Sequence, residues 1–139
     1  MNNMMTNVEV ARRIVAENSG QLERESLHAF ADILVYRKYK KGERILDEGE
    51  VCTCMRYIEK GLTRQFYYKH EKDLTEHIAY EGGLVICLES YLKQAPTHLM
   101  IEALEPTVLW EINKADIEQL AATYNAVSYT HLRAHETVL

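Results

Sequence analysis

The sequence predicts an α+β domain: helices first, then a small antiparallel β-sandwich or barrel, then one more helix. Three observations carry this. Apolar residues recur at helical spacing before Tyr36 and again after Asn113. Between them lie short segments rich in β-branched and aromatic residues, separated by turn signals. The chain of 139 residues suffices for one real core and leaves no room for a second full domain.

In the first helix, expected from Asn7 to Ser19, Val8, Ala11 and Val15 recur at helical spacing with Ile14 beside them, and Gly20 follows as a natural stop. A second helix, from about Glu23 to Tyr36, carries the stripe Leu27, Phe30, Ala31 and Leu34. The β region is punctuated at Lys41-Gly42, Glu48-Gly49, Lys60-Gly61, Gly82-Gly83, Ala95-Pro96 and Glu105-Pro106. Gly42, Gly49 and Gly61 are read as turn glycines at positive φ. From Leu62 to Tyr68 the residues alternate, with Leu62, Arg64, Phe66 and Tyr68 on one face and Thr63, Gln65 and Tyr67 on the other. Val108, Trp110 and Ile112 likewise share a face opposite Leu109 and Glu111. Asn113 is read as the N-cap of a last helix, with Asp116 in its first turn and a stripe of Ile117, Leu120, Ala121 and Tyr124. The last thirteen residues, VSYTHLRAHETVL, abandon these patterns and resemble translated sequencing-adapter DNA. The domain is therefore expected to occupy residues 1–126, and residues 127–139 to be a non-native tail.

Composition excludes several functions. A net charge of −5 gives a surface that repels polyanions as a whole, so any DNA-reading part is expected outside this sequence. No apolar run approaches the roughly 18 residues of a membrane span and no secretory signal pattern opens the chain, which implies a cytoplasmic protein. Cys52, Cys54 and Cys87 suit neither a disulfide framework nor a C-x-x-C motif and are read as small residues in a reducing compartment. The basic run Arg37, Lys38, Lys40, Lys41 and Arg44 is read as a solvated strand edge. His131 and His135, four apart, lie in the suspect tail without credible partners. No nucleophile elbow, P-loop or Rossmann fingerprint occurs, so catalysis is not expected.

The stretch KKGERILDEGEVCTCMRYIEKGLTRQFYY, with IEALEPTVLWEINKADIEQL further on, resembles the effector domains of the Crp/Fnr family of bacterial transcription regulators. The resemblance runs from about Leu22 to Asn125. It implies a double-stranded β-helix, a jelly-roll-like β-roll of the cyclic-nucleotide-binding kind, with N-terminal helices and a C-terminal helix. It further implies homodimerisation of the full-length protein through that last helix, and DNA binding by a C-terminal helix-turn-helix domain absent here. An iron-sulfur sensor is disfavoured, because that branch needs four suitably placed cysteines and three occur. A β-roll also resembles cupins, but Glu76-His77 lacks a second nearby histidine and His98 is the only later one in the roll, so no metal is expected.

In nucleotide-binding members a glycine, an acid and an apolar residue open a short helix, and an arginine-serine pair follows the next loop. The acid accepts the ribose hydroxyl; the arginine neutralises the cyclic phosphate. Counting without a gap through EGGLVICLESYLKQAPTHL, from Glu81 to Leu99, these positions carry Ile86, Cys87, Leu88, Thr97 and His98. Losing a charge-assisted hydrogen bond forfeits about 1.5–3 kcal/mol, so tight cAMP binding is not expected and no cofactor is assigned. Glu89 and His98 are the candidate substitutes. The sequence thus reads as the sensor domain of a regulator with an unidentified small-molecule effector. Its rival is a stand-alone cyclic-nucleotide-binding-like module acting through protein contacts.

Overall fold

The computed structural model describes residues 5–18 and 23–124. The expected stop at Gly20, the boundary near Ala126, the tail 127–139 and both of its histidines lie outside the described residues. In chain order the elements are α1 (Asn7–Asn18), α2 (Arg24–Ile33), β1 (Val35–Tyr39), β2 (Arg44–Leu46), β3 (Cys54–Lys60), β4 (Leu62–Lys69), β5 (Lys72–Tyr80), β6 (Leu84–Val85), α3 (Leu88–Lys93), β7 (Met100–Ala103), β8 (Thr107–Asn113) and α4 (Lys114–Thr123). They form two units, one holding α1, α2 and α4, the other the β-roll from Val35 to Glu111.

In the helical unit, Thr6 caps α1 by accepting the Glu9 N–H at 3.2 Å, a Thr-x-x-Glu start that the apolar spacing does not reveal. The buried stripe is Val10, Ala11, Ile14 and Val15, whereas Val8 is only half-buried. Asn7 Nδ2 donates to the Ala31 carbonyl at 3.2 Å and ties α1 to α2. The second helix stops at Ile33 and not at Tyr36, with Leu34 extended. The reason is tertiary: Val35 and Tyr36, a β-branched and an aromatic residue, pair with Glu111 and Trp110 in β8. Phe30, Ala31, Ile117, Leu120 and Ala121 are buried as expected. Asn113 occupies the N-cap position of α4, but its side chain makes no capping hydrogen bond.

The β-roll consists of two four-stranded sheets, ordered β1-β8-β3-β6 and β2-β7-β4-β5. The basic run lies on and after β1, the edge of its sheet, where Arg37 meets Glu111 at 3.4 Å. Gly61 joins β3 to β4 at φ +115°, and a Cβ there would lie 2.7 Å from Thr107 Cα and 2.8 Å from the Pro106 carbonyl. A glycine is required both by the dihedral and by the space.

Along β4, the polar face goes inward: Thr63 and Gln65 are buried. Phe66, on the opposite face, is also fully buried, because the Arg64 guanidinium lies 3.9 Å and that of Arg44 5.0 Å from its ring centroid. Arg64 is fixed there by Glu102 at 2.8 Å and Asp73 at 3.0 Å. A bulge in β5 shifts the register between Gln65↔His77 and Phe66↔Thr75, leaving Glu76 as the extra residue.

Candidate functional site

The stretch Glu81–Leu99 is built by local rules onto the β-roll. Gly82 N–H donates to the Ile58 carbonyl at 2.8 Å and Gly83 N–H to that of Tyr80 at 2.8 Å, turning the chain from β5 into the short β6. α3 follows Cys87 and ends where Gln94 adopts the left-handed conformation, φ 51° and ψ 47°. The loop after it is pinned to the turn before β3: Gly49 N–H donates to the Thr97 carbonyl at 2.9 Å, and Thr97 N–H to that of Glu50 at 2.8 Å. Ser90 knits the ends together, donating to the Ala95 carbonyl at 2.5 Å and accepting the Cys52 N–H at 2.9 Å.

Between α3 and this loop lies a cavity of about 310 Å³, lined by Cys87, Glu89, Ser90 and Lys93 on the helix side and by Ala95 to Leu99 on the other. Of the residues singled out from sequence, Cys87, Glu89, Thr97 and His98 share this cavity, while Ile86 and Leu88 lie outside its lining. Ile86 is buried, and its carbonyl accepts a 2.7 Å hydrogen bond from Gln65 Nε2. Leu88 is half-buried at the start of α3. Glu89 is exposed and pairs with Lys93 at 3.2 Å, an i,i+4 pair on one helical turn. His98 stands exposed at the rim.

Thr97 and Cys87 look inward. The buried Thr97 hydroxyl donates to the Leu99 carbonyl at 3.0 Å and accepts the Leu99 N–H at 2.9 Å. The Cys87 sulfur accepts from Gln65 Nε2 at 3.5 Å, and the Cys52 thiol donates to the Cys54 carbonyl at 3.3 Å. Hydrogen bonding to Cys52, then burial, pushes the Cys87 thiol up. The same bond, helped by the Arg56 cation and opposed by burial, brings Cys52 down to about 6. Burial pushes Cys54 up to about 12.

Gln65, Lys93 and Cys52 are the members of this neighbourhood that sequence reading missed. Lys93 had a signal, its spacing from Glu89. Gln65 and Cys52 had none, because their contacts with Cys87 span 22 and 35 residues of chain.

Close by, Arg56 is buried, and its Nε and Nη1 have no hydrogen-bond partner; Glu111 Oε2 lies 3.8 Å from Nε. Glu76 and His77 are exposed on β5. Among the described residues no three His, Cys, Asp or Glu side chains group to hold a metal ion, and no helix is long and apolar enough to cross a membrane.

This geometry has known counterparts. The β-roll is similar to the sensor domain of the transcriptional regulator DNR from Pseudomonas aeruginosa, with 13% identity over 97% of this chain and 92% of that one and a TM-score of 0.76. It is also similar to the Thermus thermophilus Catabolite Activator Protein, with 20% identity, 81% and 53% coverage and a TM-score of 0.68. A third similar structure is the regulatory subunit of a cAMP-independent protein kinase A from Trypanosoma cruzi, bound to guanosine, with 18% identity, 84% and 42% coverage and a TM-score of 0.68. The chain spans about half the length of the last two. No curated protein is a significant match. The family model of the cyclic nucleotide-binding domain matches residues 36–124, from β1 through α4, and the chain belongs to that family.

Proposed function

We propose that the chain is the effector-sensing domain of a Crp/Fnr-like bacterial transcription regulator, cytoplasmic and non-catalytic, whose effector is not tightly bound cAMP. The observation that carries this reading is the inward use of the cassette. Cys87 and Thr97, at the positions of the acid and the arginine, are buried and hydrogen-bonded to protein groups. A cyclic nucleotide would find no carboxylate at 87 and no guanidinium at 97, and the β-branched Ile86 where glycine would let backbone approach phosphate. The residues present therefore do not fit that ligand. The charged and titratable groups at the exposed rim of the cavity are Glu89, Lys93 and His98, which suit a small polar effector.

Such an effector acts by population shift, favouring one arrangement of the β-roll and of the helix that follows it in sequence. In a full-length homodimer that arrangement would set the presentation of separate DNA-reading domains. Likeness to the sensor domain of a transcriptional regulator supports this reading.

Isothermal calorimetry tests the ligand half: cAMP should bind no tighter than roughly 100 µM, given the two charged hydrogen bonds lost. Micromolar binding would reject the reading and point to Glu89 and His98 as substitutes. One observation favours the rival, a stand-alone module acting by protein contact: Leu74, Ile78 and Tyr80 are 39%, 50% and 69% exposed on β5, an edge strand. Sequence-selective operator binding by the full native chain would decide for the regulator.

A further inference from the structure

β5 forms one edge of the sheet β2-β7-β4-β5, so among the described residues no strand pairs with its free side. It runs nine residues without a proline, and all of them except Ala79 are exposed. Paired residues share a face of a sheet, so the register with β4 sorts the side chains of β5. Tyr80 and Ile78, opposite Leu62 and Arg64, lie on the same face as Thr75 and Asp73, opposite Phe66 and Tyr68. Lys72, Leu74, His77 and Ala79 lie on the other face, opposite Lys69, Tyr67, Gln65 and Thr63. The alternation along β5 therefore jumps by one at the extra residue, Glu76.

We propose that β5 docks a second copy of this chain: two β5 strands pair antiparallel about a two-fold axis that passes between Glu76 and His77, joining two four-stranded sheets into one of eight strands. The bulge is what permits that axis. In a strand of unbroken alternation, pairing about a point between two residues would set one face of the first copy against the opposite face of the second. The jump at Glu76 cancels the mismatch. Asp73 meets Tyr80 of the second copy and Thr75 meets its Ile78, all on the face of Phe66, while Leu74 meets Ala79 on the other. The exposed Ile78 and Tyr80, at 50% and 69%, thereby gain neighbours across the junction.

Charge selects the same register. Lys72 then faces Glu81 of the second copy and Glu76 faces its His77, and the two-fold axis doubles each pair. Moving the axis onto Glu76 sets that carboxylate against itself. Moving it onto His77 sets Asp73 against Glu81. Charges on an edge strand ordinarily deter pairing with another chain; here they deter the neighbouring registers and favour this one. Nine residues from each copy make an interface at the small end of the range, below about 1,200 Å², so the association is weak. It uses the β-roll alone and is separate from the last helix, to which homodimerisation of the full-length protein is assigned.

The test is sedimentation equilibrium of the 139-residue chain at concentrations rising to about 500 µM, the regime of a small, weak interface. The wild-type chain should show a monomer–dimer equilibrium. Lys72→Glu sets a carboxylate against Glu81, and Glu81→Lys sets an ammonium against Lys72, each twice over. Either change should weaken the dimer about tenfold, the scale of two exposed ion pairs turned repulsive. Lys72→Glu combined with Glu81→Lys restores opposite charges and should restore the wild-type constant. Hydrogen–deuterium exchange of the wild-type chain, which needs no variant, should slow between Asp73 and Tyr80 as concentration rises. A wild-type chain that stays monomeric to about 500 µM, a dimer that neither single change weakens, a double variant as weak as the singles, or exchange that slows elsewhere and not in β5 would overturn the proposal.

Discussion

Arg56 offers a direct measure of what a buried cation contributes to this β-roll. Its side chain is 7% exposed, two of its nitrogens are buried without a hydrogen-bond partner, and Glu111 lies 3.8 Å from Nε. At an effective dielectric of about 20, that ion pair gains about 4 kcal/mol. Against it stand the desolvation of the guanidinium, several kcal/mol, and about 1–3 kcal/mol for each orphaned donor. Removing the cation does not strand Glu111, which is 13% exposed and keeps Arg37 at 3.4 Å, and below about pH 6, where Cys52 keeps its proton and the comparison is made, it strands no thiolate. Arg56→Met, which fills similar volume, is therefore expected to leave stability unchanged or to raise it by up to about 3 kcal/mol. Arg56→Ala should fall below the Met variant by about 2–4 kcal/mol, because the stem's packing is lost. Urea unfolding can follow Trp110, the only tryptophan in the sequence, which is buried and lies 5.3 Å from the Tyr36 ring in an edge-on contact. A loss of more than about 1 kcal/mol in the Met variant would refute the reasoning and show that the guanidinium earns its place through interactions stronger than these distances imply.

Gly61→Ala should destabilise the chain by more than about 2 kcal/mol, since its φ is +115° and the new Cβ would fall 2.7 Å from Thr107 Cα. An unchanged urea midpoint would contradict that. In the reduced chain, stability should rise with pH between about 6 and 9: the folded Cys52 ionises near 6 and an unperturbed thiol near 9, so in this window the unfolded state holds more protons. The gain is complete above the unfolded value and is lost as pH falls through about 6. Above 9 the trend should reverse, because Cys54, at about 12, keeps its proton in the folded state and loses it on unfolding. Urea midpoints across pH check both limbs; a flat wild-type profile from 6 to 9, matching Cys52→Ser, would reject the ionisation of Cys52.

What could be read from the sequence follows the range of the interactions involved. The stripes Phe30-Ala31 and Ile117-Leu120-Ala121 are set by helical repeat within a few residues, and they are buried as that repeat demands. The end of α2 is different. Leu34, Val35 and Tyr36 continue the helical pattern, but Val35 finds its partner 76 residues away at Glu111, and a pairing of that range leaves no mark on local periodicity. Phe66 shows the same limit on a face: alternation assigns it to the side of Arg64, and only the closeness of Arg44 and Arg64 explains why an outer ring is fully buried.

For the cassette, the distinction bears on function. Counting identified what stands at 86, 87 and 97, and those identities carry the proposal that the chain does not hold cAMP tightly. They say nothing of what replaced them. A position that has merely lost its ligand group would leave a buried polar atom to be satisfied by solvent. Here Gln65, from β4, supplies an amide to both the Ile86 carbonyl and the Cys87 sulfur, and Thr97 closes its own loop onto Leu99. To rebuild a nucleotide site, Cys87→Glu and Thr97→Arg would have to break these bonds and find room for larger charged groups at buried positions. The inward network therefore opposes installing a nucleotide site at 87 and 97, in keeping with the proposed function, and the charged and titratable side chains at the opposite rim are Glu89, Lys93 and His98.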